Sequence, residues 1–227
     1  MERAIREGRR GMSLVSNSHK FIYVSGGKCA TGSIMNAFGK VPDVKTYMLE
    51  KKVPHDWKLF NKHMPAKVMR KRLGQQIWDS YYKFSFVRNP YDWVSSVFFF
   101  HVKRRMKGYT SPSDGKLREP HIRLVVDYCK SPIGRRFDDT INIRSQHDFI
   151  SDVDGNIIID YVGKVENLNV DFKRICKKIN VPYHEPENRN VSGSKKTPYQ
   201  DRYTPEARKM VEKYFGKDIK AFGYTFE

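Results

Sequence analysis

The stretch "KFIYVSGGKCATGSI", residues 20–34, decides the fold because its character changes twice within a short distance. Its apolar run, residues 21–24, is typical of a buried strand in a parallel sheet. Small residues then end the strand, and the apolar spacing that follows predicts a helix from near Thr31 to Gly39. A strand, a small-residue turn and a helix in this order favour an α/β domain.

The turn between this strand and helix is a candidate anion site. Free backbone N–H groups converge at a helix start, and the helix dipole adds about 0.3–1 kcal/mol for an anion. Lys28 adds a full charge, worth about 4 kcal/mol at contact distance in an intermediate dielectric. The alternative is a plain corner of the fold with one surface lysine. The candidate anion-binding residues are Gly27, Lys28, Cys29, Ala30, Thr31, Gly32 and Ser33.

The loop does not fit the pattern of nucleoside-triphosphate-binding proteins. That pattern requires a glycine, four further residues and then Gly-Lys-Ser/Thr. Here Gly27 and Lys28 are followed by Cys29, and Ile22 stands where the first glycine is required. A kinase-like enzyme of this type therefore remains only as an alternative.

A second stretch, "YKFSFVRNPYDWVSSVFFF" (residues 82–100), places an arginine at the end of a predicted strand. Ligands bind at the carboxyl ends of parallel strands, and the planar guanidinium of Arg88 matches a phosphate. A long helix is predicted from Pro90 to about residue 107, with Ser96 two turns into it. The alternatives are a structural ion pair for Arg88 and a hydroxyl-to-carbonyl bond for Ser96.

Charge and composition limit the partners and the compartment. The chain of 227 residues has a net charge of +18, which favours anionic partners. Nucleic-acid binding is the alternative from another class, but the aromatic residues lie in apolar runs rather than among basic residues. The three cysteines lack the spacing of metal ligands, and the sequence shows no signal peptide, so we expect a cytoplasmic protein. No apolar run is long enough for a membrane span.

The two stretches together resemble sulfotransferases that use 3′-phosphoadenosine-5′-phosphosulfate, in the branch containing the carbohydrate sulfotransferases (sulfotransferase family 2). "GGKCATGS" is similar to that family's 5′-phosphosulfate loop, and "FVRNPYDWVSSVF" to its 3′-phosphate motif. Lys164 and Trp93 depart from the family, which commonly has arginine at both positions. Three more segments match in the same order: "KHMPAKVMR" (62–70), "DYVGKVENLNVDFKRICKKI" (160–179) and "YTPEARKMVEKYFGKDIKAFGY" (203–224).

The resemblance implies a P-loop-like, three-layer α/β fold with a central, mainly parallel sheet flanked by helices. Residues 1–18 would form a flexible basic extension, and residues 19–227 a single sulfotransferase domain. The implied reaction moves a sulfuryl group to an acceptor hydroxyl, without a metal ion. The implied acceptor is a carbohydrate, with an anionic glycan as one candidate, and no nucleic-acid partner is expected.

The resemblance also implies a role for each candidate residue. Lys28 would stabilise the leaving group, and Arg88 with Ser96 would bind the 3′-phosphate. Lys195 or Lys196 would close over the same phosphate. His63 is the candidate general base, because an unperturbed histidine pKa of about 6.5 suits proton removal near neutrality. His55 is the fallback for that role.

Overall fold

The computed structural model describes residues 13–41, 63–102, 112–130, 145–187 and 197–227. The chain divides into two compact units. The first comprises residues 1–87 and 150–190, and the second comprises residues 88–149 and 191–227. The helices in chain order are α1 (Thr31–Phe38), α2 (Ala66–Leu73), α3 (Gln75–Ser80), α4 (Pro90–Val97), α5 (Glu119–Lys130), α6 (Gln146–Ile150), α7 (Leu168–Lys178) and α8 (Pro205–Phe222).

The first unit contains a four-stranded sheet, whose order follows the chain: β1 (Leu14–Ser16), β2 (Phe21–Tyr23), β3 (Tyr82–Val87) and β4 (Tyr161–Lys164). The β1 strand pairs antiparallel with β2, whereas β2, β3 and β4 are parallel. Parallel strands leave the sheet at the same edge. The loop that contains Lys28 (residues 24–30, the lysine loop) therefore follows β2 at the edge of the sheet where β3 also ends.

Aromatic side chains from strands and helices form the core of the first unit. Phe21 stacks on Phe38 of α1 at 5.2 Å between ring centroids, and Tyr23 stacks on Phe84 of β3 at 5.2 Å. Phe38 also meets Phe172 of α7 edge to face at 5.1 Å. Such pairs add about 0.5–1.5 kcal/mol each beyond the burial of their surface. They fix α1, the helix that follows the lysine loop, against the sheet.

The second unit is built around α4, α5 and α8. The α4 helix continues as a short π-helix, Phe98–Val102. The last helix begins as its sequence predicts, because the Thr204 hydroxyl accepts from the Ala207 N–H at 3.3 Å and proline follows the cap. The buried apolar core of this unit includes Tyr91, Val94, Phe98, Val125, Val211 and Phe215.

The predicted α/β class, with a mainly parallel sheet flanked by helices, is confirmed. The prediction of a flexible extension over residues 1–18 does not hold for its last residues, because Leu14 and Val15 are buried in β1. The segment "VKTYML" (residues 44–49), which reads as a candidate strand, lies outside the described residues, as does the predicted end of the long helix near residue 107. The single domain over residues 19–227 stays a prediction. No helix in the described ranges is long and apolar enough to cross a membrane.

Gly163 of β4 lies directly opposite Phe86 of β3 and is required there for space. A Cβ atom built on Gly163 would lie 2.6 Å from Cε1 and 2.9 Å from Cδ1 of the Phe86 ring. The ring is 1% exposed, so it is held in place by its neighbours. The glycine in the family-like segment "GKVEN" therefore has a packing role.

We expect Gly163→Ala to destabilise the protein by about 1–3 kcal/mol, because the Phe86 ring must shift within a packed core. For a chain of this size, thermal denaturation should show a fall in Tm of roughly 2–10 °C. Adding Phe86→Leu should recover part of the loss. Gly216→Ala in α8 is the matched control, since nothing lies within 4 Å of its Cβ position. A Tm unchanged by Gly163→Ala would contradict the packing role.

Candidate active site

The lysine loop has a strained backbone. Lys28 and Ala30 have left-handed conformations, with φ of 65° and 56°. Outside glycine such conformations cost about 1–3 kcal/mol each and persist where the surrounding structure enforces them. The Ala30 carbonyl accepts from the Ser33 and Ile34 N–H groups at 3.0 and 3.1 Å, which starts α1. A left-handed residue directly before a helix, as Ala30 is before α1, is part of the kind of backbone that forms anion-binding concavities.

Several loop side chains contact the protein itself. The Cys29 thiol is buried and donates to the Gly27 carbonyl at 3.4 Å. The Thr31 hydroxyl donates its hydrogen to the Gly26 carbonyl at 3.0 Å, and Ser33 is buried. The sequence predicted hydroxyl donation to the ligand from Thr31 and Ser33. In the structure, the hydrogen of the Thr31 hydroxyl is donated to the protein itself, whereas Lys28 is half-exposed.

His63 lies against the same loop, and its hydrogen bond defines its tautomer. Its Nδ1 is 2.8 Å from the Ser25 carbonyl oxygen. Because a carbonyl only accepts, Nδ1 holds the hydrogen and Nε2 has the free lone pair. Nε2 is on the side of Gly27, 3.8 Å from where a Cβ on that glycine would lie. The geometry thus places the Nε2 lone pair of a histidine beside the lysine loop.

Burial sets the charge of His63. Desolvation lowers the pKa of its imidazole below the ordinary 6.5, while the bond to the Ser25 carbonyl acts in the opposite direction. The ring is therefore neutral near pH 7 and able to accept a proton. The Ser25 hydroxyl also bonds the Thr31 hydroxyl at 2.8 Å, which ties this part of the loop to α1.

In the second unit, Arg88 follows the last residue of β3 and is paired with Asp92 one helical turn later. Its Nε and Nη2 donate to the Asp92 Oδ2 at 2.7 and 2.6 Å. The ion pair that the sequence left as an alternative is thus present. This pair uses two of the five N–H donors of the guanidinium.

Gln146 fixes the backbone of Arg88. Its side-chain oxygen accepts from the Arg88 N–H at 2.8 Å, and its side-chain nitrogen donates to the Arg88 carbonyl at 2.8 Å. Asp218 of α8 fixes Gln146 in turn, accepting from the N–H groups of Gln146 and His147 at 2.9 and 2.8 Å. Burial raises the pKa of Asp218 to about 6, and these two N–H groups oppose the rise.

The serine pair of α4 divides into a buried and a half-buried hydroxyl. Ser95 is fully buried and accepts from Nη1 of Arg202 at 3.1 Å. Ser96, the predicted phosphate ligand, is half-buried and lies two turns after Arg88 on α4. The structure therefore puts Ser96 on α4 and Arg88 two residues before that helix begins, both in the second unit, and Lys28 with His63 in the first.

Some predicted residues lie outside the described part of the chain, and some structural contributors were not predicted. Lys195, Lys196 and the fallback base His55 lie outside the described residues. Gln146, which supports Arg88, was not singled out from the sequence. Arg202 was not singled out at all. Among the described residues, no group of three or more His, Cys, Asp or Glu side chains is suited to hold a metal ion.

Comparisons with known proteins give one family. The family model described as "Sulfotransferase family" matches residues 12–225. A protein of Archaeoglobus fulgidus, described as an uncharacterized protein, is 30% identical over 119 residues, which cover 52% of this chain and 84% of that protein. The comparison with solved structures gives no match. Since the family model covers nearly the whole chain, including the lysine loop and the arginine motif, this protein belongs to the sulfotransferase family.

Proposed function

We propose that this protein transfers a sulfuryl group from 3′-phosphoadenosine-5′-phosphosulfate to an acceptor hydroxyl by in-line displacement. Membership of the family supports sulfotransferase activity in general, whereas the donor, the acceptor and the residue roles are our proposal. One observation carries most weight: the Nε2 lone pair of a neutral His63 lies at the same loop as Lys28. A cation for the leaving group and a base for the acceptor are the two groups that such a reaction needs.

Lys28 is proposed to stabilise the leaving group. As the bond between sulfur and the bridging oxygen breaks, negative charge develops on that oxygen. A fixed ammonium and the N–H groups at the start of α1 bind this charge more tightly in the transition state than in the substrate, which lowers the barrier. The strained backbone of Lys28 supports a functional role, since its left-handed φ of 65° is costly for a lysine.

His63 is proposed to remove the acceptor's proton. The acceptor oxygen forms its bond to sulfur as the hydroxyl proton moves to Nε2, and the nucleotide leaves with the electrons of the broken bond. The Ser25 carbonyl holds the ring at its other nitrogen, through its bond to Nδ1. This contact keeps the lone pair on the loop side and fixes the ring against rotation.

Arg88 and Ser96 are proposed to bind the 3′-phosphate, with Lys195 or Lys196 closing over it. Support comes from the family-like motif and from the sheet, because β2 and β3 are parallel and the chain leaves both at the same edge. Arg88 is covalently next to the last residue of β3. Its backbone is held on both its N–H and its carbonyl, which is appropriate for a residue that must present a planar group accurately.

A basic helix near His63 supports an anionic acceptor, of which an acidic glycan is our candidate. Ala66–Leu73 contains Lys67, Arg70, Lys71 and Arg72 and no acidic residue. The helix begins three residues after His63. Its charges would attract an acidic acceptor toward the base through long-range attraction. The cytoplasmic location expected from the sequence stays a prediction.

The donor assignment predicts selective stabilisation by the spent nucleotide. At about 100 times its dissociation constant, 3′-phosphoadenosine-5′-phosphate should add about 2.7 kcal/mol to the free energy of unfolding. That corresponds to a rise in Tm of roughly 5–10 °C for a chain of this length. AMP and ATP, which lack the 3′-phosphate, should give much smaller shifts. An equal response to AMP would remove the proposed role of Arg88 and Ser96.

The leaving-group assignment predicts that two variants at position 28 lose activity to a similar extent but differ in stability. Lys28→Ala and Lys28→Gly should both lower kcat by roughly 10²–10³-fold, the usual cost of losing one charge-stabilising donor. Lys28→Gly should nevertheless be more stable than Lys28→Ala by about 1 kcal/mol, because glycine adopts a positive φ without strain. Turnover assays and thermal denaturation measure the two quantities. Near-normal turnover in either variant would refute the role of Lys28.

The base assignment predicts a pH dependence on the acid side. The lowered pKa of His63 means that the imidazole becomes protonated, and unable to accept a proton, only below pH 6.5. A plot of kcat/KM against pH should therefore fall with a midpoint below 6.5. His63→Ala should reduce turnover by roughly 10²–10⁴-fold and remove this limb. Full activity of a folded His63→Ala protein would assign the base elsewhere.

A further inference from the structure

Arg202 is a buried arginine in the second unit. It ends a short 3₁₀-helix, Tyr199–Arg202, and is 9% exposed. Its guanidinium donates to the Ser95 hydroxyl at 3.1 Å and to the Thr197 carbonyl. Its own carbonyl accepts from the Leu117 N–H at 2.6 Å. Burying a guanidinium is costly even when it is hydrogen-bonded, so its retention calls for a reason.

Arg202 contacts α4 on the helix face that contains Asp92, the residue that forms an ion pair with Arg88. Positions three and four apart lie on one face of a helix, so Asp92 and the serines at 95 and 96 share a face of α4. Arg88 lies two residues before the helix begins and reaches this face through its ion pair with Asp92. The Arg202 guanidinium reaches this face at Ser95, one turn beyond Asp92. Two arginines thus contact this face, Arg88 at Asp92 and Arg202 at Ser95.

The electrostatics agree with that placement. Burial lowers the pKa of the Arg202 guanidinium, Asp92 raises it and Arg88 lowers it further. Arg202 is therefore within the field of both members of the Arg88–Asp92 pair. A phosphate monoester brings up to two negative charges to such a cluster, and the second guanidinium offsets the repulsion between that phosphate and Asp92.

We propose that Arg202 is a positioning residue for recognition of the nucleotide's 3′-phosphate, acting through the Ser95 hydroxyl on α4 and through its charge, which is held one helical turn from Asp92. This inference rests on the proposed function, in which Arg88 and Ser96 bind that phosphate. Arg202 holds the α4 turn containing both serines, so the Ser96 hydroxyl keeps its place. Its positive charge offsets Asp92, so that Arg88 binds a phosphate while its ion pair remains.

The test compares the affinities of the full-length protein for 3′-phosphoadenosine-5′-phosphate and for AMP by calorimetry. Arg202→Met keeps the bulk of the side chain and removes the charge. We expect it to weaken binding of the bisphosphate at least tenfold and to change AMP binding less than twofold. Arg202→Lys should recover part of the loss, because it restores the charge without the planar fork.

Arg208→Met is the matched control, since Arg208 also forms an i,i+4 ion pair, with Glu212, but is exposed. It should leave both affinities unchanged. An equal loss for both nucleotides in Arg202→Met would show a merely structural role and overturn the proposal, as would no loss at all. Should Arg202→Met fail to fold, Ser95→Ala decides instead: we expect a three- to tenfold loss for the bisphosphate alone, and an unchanged affinity overturns the proposal.

A second arm separates this proposal from the proposed function. Stabilisation by inorganic phosphate is measured as a shift in Tm for the wild type and for Arg202→Met. If the wild type does not prefer the bisphosphate over AMP, the donor assignment fails. Phosphate stabilisation that Arg202→Met abolishes then still supports an anion-recognition role for Arg202, and stabilisation that is unchanged overturns it.

Discussion

The parallel pairing of β2 with β3 is the constraint on which the first unit depends. Phe21 lies opposite Tyr82 and Tyr23 opposite Phe84, and the Val24 N–H extends the ladder to the Phe84 carbonyl at 2.9 Å. A slip by one residue would turn every side chain of β2 to the other face of the sheet and remove the aromatic stacking. The register therefore fixes where the lysine loop begins and at which edge the chain leaves β3.

Main-chain atoms take part in holding two candidate site residues, His63 and Arg88. A carbonyl orients the ring of His63, and an amide side chain holds both polar atoms of the Arg88 backbone. The Ser25 carbonyl belongs to the main chain, so its position depends on the path of the chain and not on which side chain stands there. The same is true of the Ala30 carbonyl, which accepts from the Ser33 and Ile34 N–H groups and starts α1.

Local sequence signals predicted much of the fold. The helix after the lysine loop, the strand before Arg88 and the capped C-terminal helix all have periodicity or capping residues within a few positions. The β1 strand was missed because three residues of strand have no local signature, and pairing with β2 supplies their stability. The Arg88–Asp92 pair was within reach of sequence reasoning, since an arginine and an aspartate four apart are a standard ion-pair spacing.

Contacts between distant parts of the chain explain the remaining misses in the site. The tautomer of His63 depends on a carbonyl 38 positions away, and the support of Arg88 by Gln146 spans 58 positions. Neither pairing leaves a pattern in a single sequence. The intramolecular bond of the Thr31 hydroxyl was also unpredictable, because its acceptor is a main-chain oxygen placed by the strained loop.

The buried carboxylate of Asp218 has a consequence for the evolution of this protein. It accepts from two successive main-chain N–H groups, and the first of these belongs to the residue that holds Arg88. An amide at position 218 would present a donor to one of those N–H groups, so drift at this site is constrained although it is remote in sequence from the arginine motif. Among relatives, positions 88, 146 and 218 should vary as a set, and a lineage that replaces one should show compensating replacements at the others.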